Sequence, residues 1–214
     1  MLYSSYAHTL VYPYEIHEPT PSGPAYYSGY LNKIVSGESY SGYSLWDTFR
    51  AQTAWLLLVA PERVAGMINS MLQDYEQGGW LPMWKNLVET NIMVGTHADS
   101  VIAQAISAGV KGVDWNRAWK AVEKNSFTPP DRDTELRLAN SLLFDSDQVG
   151  SSQIKSRSMV LTARFIDREE HTPQEVRAGL TEYMKIGYVA HDLHDESASR
   201  TLEYACESHP SSAH

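Results

Sequence analysis

The stretch Pro61-Glu-Arg-Val-Ala-Gly-Met-Ile-Asn-Ser-Met-Leu-Gln-Asp-Tyr-Glu-Gln-Gly78, followed by Gly79, decides the class of the fold. Val64, Met67, Ile68, Met71, Leu72 and Tyr75 recur at three- and four-residue intervals, which makes one apolar stripe on an amphipathic helix. Pro61 suits a first helical position because its missing N–H would find no partner there, and Glu62 sits near the positive end of the helix dipole. The two glycines then end the helix.

Working outward, Phe49, Ala54, Leu57 and Leu58 predict a helix over about 47–59, with Asp47 or Ser44 as N-cap and Pro61 as stop. It would lie antiparallel to the first across a short turn. Residues 97–108 read as a further helix closed by Gly109, and Asp114 caps a segment whose Trp115, Ala118, Trp119 and Val122 share one face. Thr172-Pro173 opens another, running through Leu180 and Met184 to Gly187, and Ser197 or Ser199 opens a last one with Leu202 and Tyr204. Residues 11–43 carry Pro13, Pro19, Pro21 and Pro24 among Gly, Ser and Tyr, which suits an extended surface segment or a short hairpin. No helical period repeats strongly enough for a solenoid. Paired helices dominate, so the expected class is all-α.

The 214 residues are 43% hydrophobic and 11% aromatic, a composition that supports one sizeable core. With 17 Lys+Arg against 26 Asp+Glu the net charge is −9, which disfavours nucleic acid and anionic membrane as partners. The one cysteine, Cys206, forms no internal disulfide and leaves the redox compartment open. Met1-Leu-Tyr-Ser-Ser-Tyr-Ala-His8 has neither a basic n-region nor an apolar core, and no run approaches the ~20 apolar residues of a membrane helix. As written, the chain is expected to stay in the cytosol, and the address of a longer protein stays open.

Chemistry concentrates in Tyr43-Ser-Leu-Trp-Asp-Thr-Phe-Arg50 and Gly78-Gly-Trp-Leu-Pro-Met-Trp84. Aromatic rings can stack on the C–H faces of a pyranose, while a carboxylate and a guanidinium satisfy vicinal hydroxyls that an apolar pocket cannot. The competing reading is a helix start with a buried tryptophan beside a capping aspartate. Together with Tyr3-Ser-Ser-Tyr-Ala-His-Thr9, Asn91-Ile-Met-Val-Gly-Thr-His97 and Glu196-Ser-Ala-Ser-Arg-Thr-Leu-Glu-Tyr-Ala205, these motifs resemble, in order, the catalytic domain of glycoside hydrolase family 92. The resemblance is nearest to fungal members and covers most of 2–139 and 167–205.

What the resemblance implies is a calcium-dependent, inverting exo-α-mannosidase acting on α-1,2-linked mannose of N-glycans. The implied fold is a partial (α/α)6 toroid, of which this chain supplies about half, and the implied partner is a mannose-containing glycan. Trp46 and Asp47 correspond to a pair that contacts the terminal mannose at the barrel mouth. Arg50 is a further candidate and is equally placed to pair with Asp47; Tyr43 is a weaker one. Trp80 and Trp84 read either as a sugar platform or as plugs of the barrel end. His97 is expected to face the barrel axis and hydrogen-bond substrate or structure.

Neither histidine cluster reads as a metal site. His97 and Asp99 point in different directions on a helix, and His191-Asp-Leu-His-Asp-Glu196 follows no ligand spacing and reads as a polar loop before a capped helix. Glu196 and Arg200 stand i,i+4, the spacing of an ion pair. The family's general acid and base, and the residues associated with its calcium, correspond to positions downstream of the Glu196–Ala205 motif. No catalytic residue and no metal ligand is therefore assigned, and calcium binding by this chain is not expected. Leu31 stands where the family usually has an acidic residue. Residues 140–164 interrupt an otherwise continuous family segment, in the manner of an intron read in frame, and 206–214 is a divergent polar tail. The chain is thus expected to be an inactive fragment at 1–205; the alternatives are a non-catalytic carbohydrate-binding module and a non-functional truncated product.

Overall fold

The structure is a computed structural model that describes residues 2–90, 94–130, 133, 177–192, 194 and 196–208. Residues 140–164 and the helix start expected at Thr172-Pro173 lie outside the described residues, as does the beginning of the Asn91–His97 motif. The described helices are α1 (Leu2–His8), α2 (Leu45–Thr48), α3 (Gln52–Val59), α4 (Pro61–Gly78), α5 (Ala98–Ser107), α6 (Trp115–Phe127), α7 (Leu180–Ile186) and α8 (Ser197–Ser208). The strands are β1 (Tyr14–Glu15), β2 (His17–Thr20), β3 (Gly23–Ser28), β4 (Lys33–Ser36), β5 (Tyr40–Ser41), β6 (Lys85–Asn86) and β7 (Val88–Glu89).

These strands overturn the all-α, half-toroid expectation: the chain is mixed α and β. They form three antiparallel sheets, β1–β5, β2–β3–β4 and β6–β7, the first two built entirely from the segment read as loop or hairpin. The prolines there do not prevent pairing, because Pro19 and Pro24 face each other at the hairpin end of β2 and β3, while Tyr26 pairs with Val35 farther along. Packing on α4 holds the strands. Gln77 donates to the Tyr26 hydroxyl at 2.6 Å, and the Tyr40 N–H donates to Ser70 Oγ at 2.9 Å. Strands of two to six residues are too short for a period-two pattern to stand out from a Pro- and Tyr-rich background.

Helix α4 is the centre of the core and runs as its stripe predicts. It packs on α3, α5 and α6, with Ile68, Met71 and Leu72 buried against Leu56, Val101, Ile102 and Ala118. Gly79 closes it in the left-handed region at φ 91°, where a side chain would be strained, and Lys124 Nζ donates to the Gly79 carbonyl at 2.8 Å.

The single helix expected over 47–59 is two. Gln104 Nε2 donates to the Phe49 carbonyl at 2.7 Å, and Thr53 Oγ1 donates to the Thr48 carbonyl at 3.3 Å, so side chains satisfy acceptors at the junction. Helix α3 buries Thr53 and Leu56, not the stripe read from the sequence, and Leu58 is 77% exposed. On α6, Asp114 caps as expected, accepting from the N–H groups of Asn116 and Arg117. Ala118 is buried with Ala121 and Asn125, and Trp115 and Val122 pack partly buried against the core, whereas Trp119 turns outward.

Candidate functional site

A cleft of about 1010 Å³ opens where α1, the segment after it, α2, α3 and the β6 strand meet. Asp47 and Trp84 line it, and so do Tyr12, Tyr14, Trp55 and Lys85. Ser44 is the N-cap position of α2, one residue before the helix, and its hydroxyl donates to the Asp47 carboxylate. Asp47 therefore sits in the first turn and is not the cap, exposed and able to accept further hydrogen bonds. The backbone of Trp84 is held at both ends. Its N–H donates to Glu89, whose carboxylate also accepts from the Met83 N–H at 2.6 Å, and its carbonyl accepts from Thr90 Oγ1 at 2.7 Å.

The other residues singled out in the sequence lie outside this wall. Trp46 is 44% exposed on α2. The Arg50 guanidinium lies 4.8 Å over the Phe49 ring. Trp80 carries the Lys124 ammonium 4.4 Å above its ring, a cation–π contact beside the end of α4. Tyr43 is buried and donates its hydroxyl to the Met67 carbonyl at 3.0 Å, so it belongs to the core.

His97 is buried, stacked on Phe49 at 4.1 Å with 6° between the planes, and its Nε2 is 3.2 Å from Glu203 Oε2. Burial, with Arg50 nearby, lowers its pKa from 6.5 to about 4, so the ring is neutral at physiological pH. A depressed histidine stabilises the fold above its ordinary pKa, and that contribution is lost as pH falls from 6.5 through 4. A His97→Gln variant should therefore lose less stability than the parent between pH 6.5 and 4 in urea titrations. Parallel losses would show that the ring does not couple to folding.

Two buried ion pairs escaped the sequence reading. Lys85 Nζ bonds Asp74 Oδ1 at 2.7 Å, with Ser39 and Ser70 Oγ each at 3.5 Å. Burial pushes the Asp74 carboxyl up to about 7 in spite of Lys85, and its Oδ2 accepts no hydrogen bond among the described residues. Asp74 stands three residues after Met71, on the apolar stripe of α4, and that was the signal available. Likewise Arg177 donates to Thr96 Oγ1 at 3.1 Å and reaches Asp99 Oδ2 at 3.3 Å, while Asn125 donates to Asp99 Oδ1 at 3.2 Å. Burial raises Asp99 to about 6, with Arg177 opposing. Glu196 and Arg200 lie 3.8 Å apart as their spacing implied. Among the described residues no three His, Cys, Asp or Glu side chains converge.

A model of the glycosyl hydrolase family 92 catalytic domain matches residues 1–210. No curated protein matches the sequence. Among solved structures, the fold is similar to a GH92 inverting mannosidase from Bacteroides thetaiotaomicron, with TM-score 0.71 and 25% identity, over 96% of this chain and 23% of that one. It is also similar to a GH92 alpha-mannosidase from the same organism, with TM-score 0.67 and 28% identity, over 96% and 22%. The latter's complex with mannoimidazole gives 0.66 and 28%, over 96% and 21%. The chain spans less than a quarter of the length of each. These structures are bacterial and lend no support to the leaning toward fungal members. With the family matched over nearly its whole length, the chain belongs to glycosyl hydrolase family 92, in its catalytic domain.

Proposed function

We propose that this chain is a sugar-holding part of a GH92 α-mannosidase and that its cleft takes the terminal mannose of a glycan. The observation that carries the reading is one large cleft lined by both the exposed Asp47 carboxylate and Trp84, whose backbone is anchored at both ends. A carboxylate accepting from vicinal hydroxyls and an aromatic face against ring C–H groups are the complementary halves of hexose recognition. Trp46, exposed on α2, and Arg50, exposed two residues after its end, belong to the same proposal as further sugar contacts, as do Trp80 and His97, all four outside the lining of the cleft. The finer identity belongs to the same proposal: in a longer protein, exo-action on α-1,2-linked mannose of N-glycans, with calcium held by residues other than those described.

Inverting hydrolysis uses two carboxyl groups about 6.5 to 9.5 Å apart, one protonating the leaving oxygen and one activating water. Among the described residues that line it, the cleft offers one, Asp47. We therefore assign this chain binding without turnover. Calorimetric titration should show mannose binding that Asp47→Ala weakens by roughly 1.5 to 3 kcal/mol with little change in melting temperature. A lowered melting temperature with unchanged binding would reduce Asp47 to a helix-start residue. Mannose released from α-1,2-mannobiose above a buffer blank would contradict the non-catalytic assignment.

A further inference from the structure

Glu89 carries a buried carboxylate, and the residue does not line the cleft. Taking a carboxylate out of water is costly unless hydrogen bonds replace the lost solvent. Here the main chain supplies them. Oε2 accepts from the Met83 N–H at 2.6 Å and from the Trp84 N–H at 3.1 Å, and Oε1 lies 3.3 Å from the same Trp84 nitrogen. An ionised carboxylate has no donor of its own to oppose two converging N–H groups, and its charge strengthens both bonds. The next residue holds the other side of Trp84: Thr90 gives its hydroxyl at 2.7 Å and its N–H at 3.2 Å to the Trp84 carbonyl.

The dipeptide Glu89-Thr90 thus grips both peptide groups of Trp84 from across the hairpin of β6 and β7. That hairpin is itself anchored. The Leu87 N–H at its tip donates to Ser41 Oγ at 2.9 Å, and the Glu89 N–H donates to the Tyr30 hydroxyl at 2.9 Å. Met83 and Lys85 on either side of Trp84 are buried, while Trp84 is half-buried and lines the cleft. Backbone angles limit the directions a side chain can take, so fixing both peptides at Trp84 restricts its indole before a ligand arrives. The ordering cost of binding is lowered by that much.

We infer that Glu89 is a positioning residue for sugar binding: without touching the sugar, it holds Trp84 in its binding orientation, with Thr90 as its counterpart on the carbonyl side. This rests on Trp84 and Asp47 contacting mannose.

Calorimetric titration of the 214-residue chain with mannose tests it. Glu89→Ala should weaken binding about tenfold, the scale of a lost charged hydrogen-bond acceptor. Glu89→Gln, whose amide oxygen can take the place of Oε2 for both N–H groups, should stay within about threefold of the parent. The decisive background is Trp84→Ala. There the loss from Glu89→Ala should vanish, because no indole is left to position, whereas a carboxylate that only supports the fold would cost the same affinity with or without Trp84. Thr90→Val keeps the side-chain shape and decides the matter if Glu89→Ala does not fold; it should cost about threefold, again only when Trp84 is present. Equal losses in the two backgrounds, no loss in the deciding variant, or unchanged binding in Trp84→Ala would overturn the positioning role. The mannose reading would then stand on Asp47→Ala, which should still weaken binding. A parent that binds no mannose, or unchanged binding in both Trp84→Ala and Asp47→Ala, would overturn both.

Discussion

Replacing Lys85 with Met is expected to destabilise the fold by about 3 to 5 kcal/mol at pH 8, because it leaves the Asp74 carboxylate buried without its cation. Asp74 is raised well above the ordinary carboxylate range, so its protonated form is the one the fold prefers. The stability associated with such a group is fully present below about 3.8 and is lost as pH rises through about 7. Lys85 opposes that rise. Without it the folded value moves higher, so the loss in Lys85→Met should grow by roughly 1.4 kcal/mol for each pH unit above about 7 and be larger at pH 8 than at pH 5. Urea denaturation at the two pH values measures it directly. Adding Asp74→Leu should restore most of the loss, since an apolar pair of similar volume is close to neutral where a single broken partner is not. A loss below about 1 kcal/mol at pH 8 would mean that water reaches Asp74. The consequence extends to the cleft, since the Gly42 N–H donates to the Lys85 carbonyl at 3.1 Å beneath Tyr12 and Tyr14.

Arg177→Met should cost a comparable ~3 to 5 kcal/mol, again more at high pH than at low. Arg177 is 1% exposed, ties Thr96 and Asp99 to the region before α7, and lies 5.6 Å over the Tyr204 ring of α8. Asp99 is raised to about 6, so its contribution is present below about 3.8 and is lost as pH rises through 6. Removing the guanidinium that opposes this carries the loss to higher pH. The change should also loosen α8 from α5, because the Arg177–Tyr204 contact and the approach of His97 to Glu203 join the same elements. Amide exchange in 197–208 is the sensitive readout. Protection there that matches the parent, with stability within 1 kcal/mol of it, would show the network to be dispensable.

Local pattern determined a good part of this protein. The stripe from Val64 to Tyr75 predicted α4 with its proline start and glycine stop, because a long helix repeats its buried face often enough to be read without its neighbours. Asp114 was legible as a cap because capping is settled within three residues. The ordered motifs from Tyr3 to Ala205 indicated the family, since each carries chemistry in its own residue types. The tertiary structure alone decided the rest. The strands within 14–41 are too short to show a period and exist through Ser70, Gln77 and other partners on α4. The helix over 47–59 breaks because Gln104, 55 residues farther along the chain, takes the Phe49 carbonyl. The pairing of Asp74 with Lys85 and of Asp99 with Arg177 needs distances that no spacing encodes. The cleft itself joins Tyr12 and Tyr14 to Asp47 and Trp84, residues brought together by packing and not by their order in the chain.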